Sequence, residues 1–453
     1  MNSRLTRFVV GLAALAASSL TWAIDTWVVS DVSGGSRVMR FDSVTGEYKG
    51  SLGFGFAGTG FYAGEINPAD GLLYVTKGGP GGVLRFDPIT GEYRGGFANG
   101  FVDTPYDIKF GPDGLAYVFN YSAAGTASVM RFEPTTGEYR GAFGQGFLNT
   151  TFARMEFDST GILHIDEYGS GRVTRFVPAT GEYRGAYGTG FLPGDAGIAM
   201  DSTGKMICLG YNQSRITRFV PDTGEYRGTF ASGFINFAIG ICIAPGDIAL
   251  VGTSMTNGVT TIGNSVMRFN TTTGEYLGHY GFGFLGTVWD VVPDVKRVYS
   301  GIVTPSGINM TGEQFTFTLK DITSGAVLDT VTAPVTDNLG NFSFSSYVRG
   351  NFRVVAKTRK RLSSATNVSG TNTGATGLVF TAFPGDSLED NRVNLSDFSK
   401  LSTYYGRTNA GAGWTTLDAQ GVAPTHADYN NDGRVNLSDF SLLSSNYGRI
   451  GTN

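Results

Sequence analysis

One sentence of residues is written six times along this chain. "VMRFEPTTGEYRGAFGQGF", residues 129 to 147, returns in near copies whose Arg-Phe pairs begin at Arg40, Arg85, Arg131, Arg175, Arg218 and Arg268. Neighbouring copies stand 43 to 50 residues apart, the period of a blade made of four strands. In the copy "VLRFDPITGEYRGGF", Asp87-Pro88-Ile89-Thr90 puts Pro where a type I turn wants it, and Gly91 suits the left-handed position that follows. That loop length sets Phe86 opposite Tyr93. The same geometry predicts the pairs Phe41/Tyr48, Phe132/Tyr139, Phe176/Tyr183, Phe219/Tyr226 and Phe269/Tyr276. On the other face Arg85, Asp87, Glu92 and Arg94 are expected as diagonal neighbours of opposite charge. One fold carries one active site more often than six, so the motif reads as structure.

The rest of each unit supplies two inner strands, as in "YDIKFGPDGLAYVFN" and "ARMEFDSTGILHIDE". The first unit lacks its innermost strand, and "TVWDVVPD", 287 to 294, provides it after the sixth hairpin. A ring closed by both chain ends leaves no open sheet edge. Abundant Gly (67 residues) and few charges (16%) suit short strands with tight turns. Residues 24–295 therefore read as a six-bladed β-propeller and resemble the NHL-type and streptogramin-lyase-type propellers. The inner strands and the loops entering them do not repeat. A ligand site is expected there, at one end of the central channel. Tyr106, Asp107, Arg154, Asp195, Trp289 and Asp290 are its candidates, with a glycan or a small molecule as ligand; the alternative is that they only plug the channel.

From 297 the period stops and alternating strands follow, with turns at "PSG", "TSG" and "NLGN". Residues 297–383 resemble a carboxypeptidase-regulatory-like or transthyretin-like β-sandwich. The resemblance implies a spacer or a module that contacts sugars or partners. The basic run Lys357 to Arg361 is expected to be a solvated strand end, the alternative being contact with an acidic polymer.

A second duplication closes the chain. "GDSLEDNRVNLSDFSKLSTYYG" and "ADYNNDGRVNLSDFSLLSSNYG" stand 42 residues apart. In the later copy Asp428, Asn430 and Asp432 take positions 1, 3 and 5 of a calcium loop. Gly433 makes the turn at 6, the Arg434 carbonyl falls at 7, Asn436 at 9 and Asp439 at 12. A hard cation needs oxygens converging from such positions. A helix follows, with Leu437, Phe440, Leu443 and Tyr447 expected on one side and Gly448 placed to stop it. Residues 384–450 resemble a type I dockerin, a small α-helical module of two loop-helix halves. In the earlier copy Asp386, Asp390, the Arg392 carbonyl, Asn394 and Asp397 match positions 1, 5, 7, 9 and 12. Position 3 is Leu388, which offers no oxygen, and Asn391 replaces the glycine at 6. The dockerin resemblance implies Ca2+ and a cohesin-like partner. It also implies that loop positions 10 and 11, Leu395-Ser396 and Leu437-Ser438, help to select that partner.

The N-terminus reads as an address. Arg4 and Arg7 precede "FVVGLAALAASSL", and "TWA" ends at Ala23, so residues 1–23 are expected to be a secretory signal peptide. No later run is long and apolar enough for a membrane span. A formal charge of −4 gives no reason to expect nucleic-acid binding. Cys208 and Cys242 form either a disulfide or two buried thiols. His164 on the strand "GILHIDEY" reads as a packed histidine. The expectation is a mainly β, secreted, calcium-binding modular protein without catalytic residues, monomeric, that binds a ligand or partner on its propeller and docks on an extracellular or cell-surface assembly by its tail. The alternative is an extracellular polysaccharide hydrolase or lyase acting through the propeller mouth.

Overall fold

The structure, a computed structural model, describes residues 24–32, 35–56, 60–79, 82–192, 194–211, 215–235, 237–254, 264–304 and 308–452. The expected signal peptide, 1–23, lies outside them. Six four-stranded antiparallel sheets come first. Their innermost strands are Thr287–Pro293, Phe61–Ile66, Thr104–Phe110, Ala153–Phe157, Asp195–Met200 and Ala238–Ala244. Each touches the next, and the last touches the first, so the sheets stand in a closed ring. In the first sheet Thr287–Pro293 pairs with Asp25–Val32, which joins the two ends of the ring by an antiparallel ladder.

The repeated hairpin explains why six sheets of one kind form. Phe faces Tyr across the ladder in every copy. At the turn of the second copy the Asp87 carboxylate accepts the backbone N–H groups of Ile89 and Thr90 at 2.9 Å. Gly91 then adopts φ +73, a region that suits glycine. Each Phe packs inward, and each Tyr becomes a shelf for the neighbouring blade. Phe101 stacks on Tyr139 with ring centroids 5.2 Å apart, Phe147 on Tyr183 at 4.8 Å, Phe191 on Tyr226 at 4.6 Å, and Phe284 on Tyr48 at 4.9 Å across the closure.

The expected cross-strand charge pairing forms in the first copy, where Lys49 pairs with Asp42 at 3.1 Å, but not in the second. The ladder slips between Met130 and Phe132, and at the equivalent place in four other copies, whereas in the first Arg40 stays paired with Gly50 and the slip follows it. A bulge of this kind takes the Arg between them out of register. Arg131 instead donates to the carbonyls of Pro178 and Ala179 in the next blade's turn, Arg175 to those of Pro221 and Asp222, and Arg268 to that of Val44. Glu92 pairs with Arg94 on its own strand at 3.0 Å.

Two further sheets form the middle of the chain. Strands Asn341–Ser346, Arg297–Thr304 and Gly374–Thr381 make one; Val327–Pro334, Gln314–Asp321, Gly350–Lys357 and Ser364–Gly370 make the other. Alternate residues of both face a shared core with Phe315, Phe317, Phe342, Phe344 and Phe380 inside, which makes a sandwich. This unit rests on the propeller through Arg349, whose guanidinium donates to Asp25 and Asp294, both at 2.7 Å.

The tail carries helix α1 (Leu395–Tyr404) and helix α2 (Leu437–Asn446). Asn394 and Asn436 cap them, and Asp397 and Asp439 complete capping boxes. The halves clasp each other symmetrically. The Gly448 N–H donates to the Val393 carbonyl and the Gly406 N–H to the Val435 carbonyl, both at 2.8 Å. Leu401 and Leu443 fill a small core with Val393, Val435 and Tyr429. Leu437, Phe440, Leu443 and Tyr447, expected on one side of the helix, differ in burial. Only Leu443 of the four is buried, because the helices meet their core along a narrow stripe.

Candidate functional site

Two regions gather the residues singled out by the sequence. The first is one end of the propeller channel. Trp289, Tyr62, Tyr106, Phe152, Tyr168 and Tyr211 form a continuous arc of rings. Successive centroids lie 5.3, 4.7, 5.3, 6.1 and 5.8 Å apart. They come from five successive sheets, and Ile239 of the remaining sheet completes the wall. The arc encloses a cup of about 280 Å³. Burial raises the phenols of Tyr62 and Tyr106, helped by Asp31 beside the first and Tyr62 beside the second. The phenols of Tyr62, Tyr106 and Tyr211, all raised by burial, are neutral at pH 7.

Beneath the cup lies Arg154, almost wholly buried. Its guanidinium donates to the carbonyls of Tyr62 at 2.8 Å, Tyr106 at 3.1 Å and Trp289 at 2.5 Å. It also lies 5.0 Å from the centroid of the Phe152 ring. Asp107 and Asp290 flank it at 3.6 and 3.9 Å. Both carboxylates bridge blades: Asp107 accepts the Met155 N–H at 2.6 Å and Asp290 the Gly64 N–H at 3.1 Å. Burial pushes the Asp107 carboxyl up to about 6, against the pull of Arg154. The structure thus puts Tyr106 and Trp289 in the wall of the cup, and Asp107, Arg154 and Asp290 in a charged layer behind it that does not line it. Asp195 begins the innermost strand of the fifth sheet; its side chain lies outside the described residues. Tyr62, Phe152, Tyr168 and Tyr211 were missed by sequence reasoning. The signal available was an aromatic at the start of one inner strand after another, as in "GFYAGEI", "TPYDIKF", "TTFARME" and "GTVWDVV".

Further along the channel, Lys109 pairs with Glu65 at 2.9 Å and Glu156 at 3.6 Å. His164 is fully buried, 3.0 Å from both the Tyr187 hydroxyl and Asp158. Cys208 and Cys242 are both buried and form no disulfide.

The second region is the pair of loops in the tail. In the later loop Asp428 accepts the Asp432 N–H at 3.2 Å and the Gly433 N–H at 3.0 Å. Asp439 accepts those of Tyr429 at 2.7 Å and Asn436 at 2.9 Å. Asp432 accepts the Arg434 N–H at 2.9 Å, and Asn430 reaches it through its amide at 3.0 Å. Backbone amides thus position each carboxylate from behind. Among the described residues, no three His, Cys, Asp or Glu are drawn together tightly enough to hold a metal by themselves. Like charges without a cation repel, and burial together with that repulsion raises Asp428 and Asp439 above the usual carboxylate range. Three carboxylates, the amide side chains of Asn430 and Asn436 and the Arg434 carbonyl are the hard donor set that calcium takes, so the residues of the later loop fit the ion.

The earlier loop fits it less well. Asn391 adopts φ +63 and makes the turn at position 6. Leu388, at position 3, packs against the core of the module. Asp386 is fully buried. One of its oxygens takes the Lys357 ammonium at 2.6 Å and the Asn391 N–H at 3.1 Å, and the other has no hydrogen-bond partner. Burial pushes Asp397 up to about 6, with Asp386 and Asp390 adding to it.

Lys357 belongs to the basic run expected to be a solvated strand end, and that expectation is corrected. Lys360 and Arg361 are buried. Lys360 donates to the Asp428 carbonyl and to Asn431 of the later loop. Arg359 pairs with Glu389 of the earlier loop at 3.0 Å, and Arg361 with Glu313 at 2.9 Å. The run passes between the sandwich and both acidic loops, where Lys360 and Arg361 are buried and hydrogen-bonded while Arg359 stays solvent-exposed beside Glu389.

On the outer face of the tail the two halves present the same residues. Leu395 and Leu437 are 65% and 64% exposed, Phe398 and Phe440 36% and 37%, Tyr405 and Tyr447 56% and 55%. The Phe398 and Phe440 rings lie 6.0 Å apart. Ser396 and Ser438 stand beside the leucines in the first turn of each helix.

Residues 384–446 match the model of the dockerin type I domain. A comparison with curated proteins finds no match. Among solved structures, a protein of unknown function from Bacteroides caccae aligns with a TM-score of 0.48 and 9% identity, over 60% of this chain and 98% of its own. A chain of a nidogen/laminin complex aligns with a TM-score of 0.49 and 11% identity, over 60% and 98%. The C-terminal module is a dockerin type I domain, and such domains bind calcium. No described helix is long and apolar enough to cross a membrane.

Proposed function

We propose that this chain is a secreted docking protein in which residues 384–450 bind calcium and a cohesin-like partner, residues 297–383 act as spacer, and residues 24–295 hold out a ligand-binding propeller. The observation that carries it is the matched, solvent-facing apolar pattern on two capped helices, each launched from an Asp-rich loop. Calcium supplies the positive charge that lets Asp428, Asp432 and Asp439 face one point. The residues of the chain do the rest. Backbone amides aim the carboxylates, the capping boxes tie Asp397 and Asp439 to the helix starts, and Leu395-Ser396 and Leu437-Ser438 present the partner-facing turn. Asp386, Asp390, the Arg392 carbonyl and Asn394 form a weaker second set around the earlier loop. Dockerin modules occur in extracellular bacterial proteins, which supports export by the leader at 1–23.

The test is binding of the full chain to a panel of immobilised type I cohesins. At least one pair should bind in millimolar calcium, release in a calcium chelator, and weaken at least tenfold when Leu395 and Leu437 are both changed to Ala. Binding that ignores the chelator, or no binding to any member, overturns the reading.

A further inference from the structure

The aromatic cup has a chemistry of its own. Its wall is a nearly unbroken belt of rings that includes the phenols of Tyr62, Tyr106, Tyr168 and Tyr211, and among the described residues no charged side chain lines it. The guanidinium below gives its terminal N–H groups to three backbone carbonyls and lies beside two carboxylates, while its Nε is buried without a hydrogen-bond partner. We propose that this cup binds a neutral carbohydrate, one or two rings deep, laid against Trp289 and Tyr106. The proposal rests on the propeller being the binding module.

Three features of the site select that ligand. Ring faces attract the apolar C–H face of a sugar, while phenol and Thr151 hydroxyls at the edge meet its alcohols. The volume, about 280 Å³, stands at the small end of ligand pockets, which excludes a folded partner and suits a short saccharide. The charge pattern separates a sugar from the other ligand that aromatic cages take. A quaternary ammonium group wants electron-rich faces with no competing cation. Here Arg154, buried 5.0 Å from the centre of the Phe152 ring, is such a competing cation. An acidic sugar is disfavoured as well, because that guanidinium is covered by carbonyl oxygens and unavailable to a carboxylate.

The wall is also built to be rigid. Tyr62 is held between Trp289 and Tyr106, and the indole N–H of Trp289 donates to Asp31 at 2.7 Å. Both wall residues are anchored through their own carbonyls to Arg154. A preformed stacking surface loses little freedom on binding.

The experiment is calorimetric titration of the full chain with neutral cello-, xylo- and manno-oligosaccharides, beside oligogalacturonate and choline chloride, with tryptophan fluorescence as a second readout. At least one neutral series should bind and change the Trp289 emission. Trp289→Ala and Tyr106→Phe separate stacking from hydroxyl contact. The first should weaken binding at least tenfold, the second by about threefold, while Phe147→Ala on the outer rim leaves it unchanged. Binding should persist in a calcium chelator, so that failure of the docking module and failure of the cup give different results. No neutral saccharide binding at millimolar concentration, stronger binding of choline or oligogalacturonate, or full affinity in Trp289→Ala overturns the proposal.

Discussion

Replacing Arg154 by Met should destabilise the propeller more than any other single change near the cup. The side chain is 5% exposed, so solvent does little to soften the loss. Three carbonyls from three blades lose a donor at once, and Asp107 and Asp290 lose their nearest cation and keep only the influence of Lys109. Breaking a buried pair by removing one partner costs about 3–5 kcal/mol. For a unit of this size each kcal/mol lowers the melting temperature by about 2–4 °C, so a fall of roughly 10 °C is expected by scanning calorimetry at pH 7. The sign with pH follows from Asp107. Its folded carboxyl titrates at about 6, above its ordinary 3.8, so the folded state holds the proton more tightly. Protonation therefore adds stability as pH falls from about 6 to about 4 and adds nothing more below that. Without Arg154 the carboxyl is pushed higher still, and the penalty of the substitution should shrink between pH 7 and pH 5. Arg154→Lys keeps the charge but cannot reach three carbonyls, and should fall between wild type and Met. A Met variant that melts within 2 °C of wild type, or a penalty that grows on acidification, refutes the reasoning.

Lys357→Gln removes the ammonium that faces Asp386. In a chelator the tail should lose about 1–2 kcal/mol, read by hydrogen exchange in α1. In calcium the earlier loop should bind the ion more tightly, because a competing positive charge is gone; a fall in both quantities contradicts this. A fragment ending at 286 lacks the strand Thr287–Pro293 that pairs with Asp25–Val32. It should aggregate and melt well below a 24–295 fragment, and equal melting curves sink the closure argument. Phe147→Ala removes one ring stacked on Tyr183 at 4.8 Å, with an expected loss of about 1 kcal/mol, measured by denaturant unfolding against the wild-type chain.

What could be read from the sequence, and what could not, divides along a physical line. The Phe86/Tyr93 pairing and its five counterparts follow from loop length and a period of two, both local. The strand at 287 was visible because the first unit is one strand short. The destination of Arg131 was not visible. A one-residue slip after Met130 turns it to the next blade, and slips leave no mark in alternation. The two Asp-rich loops were readable because the residues proposed to hold calcium sit within twelve consecutive positions. The cup was only half readable, since Tyr106 and Trp289 stand out on their own strands while Phe152, Tyr168 and Tyr211 join them only when the ring closes. The run Lys357 to Arg361 misled for a related reason. Five charged or polar residues in a row look hydrated until a second domain with acidic loops is laid over them.

Calorimetric titration of the calcium-free full chain with calcium chloride bears most directly on the central claim, that the tail is a calcium-dependent docking module. The account predicts a tight site that Asp428→Ala or Asp439→Ala abolishes and Asp386→Ala leaves in place, with α1 and α2 gaining hydrogen-exchange protection as it fills. No uptake at millimolar calcium, or loss of the tightest site in Asp386→Ala alone, would contradict it.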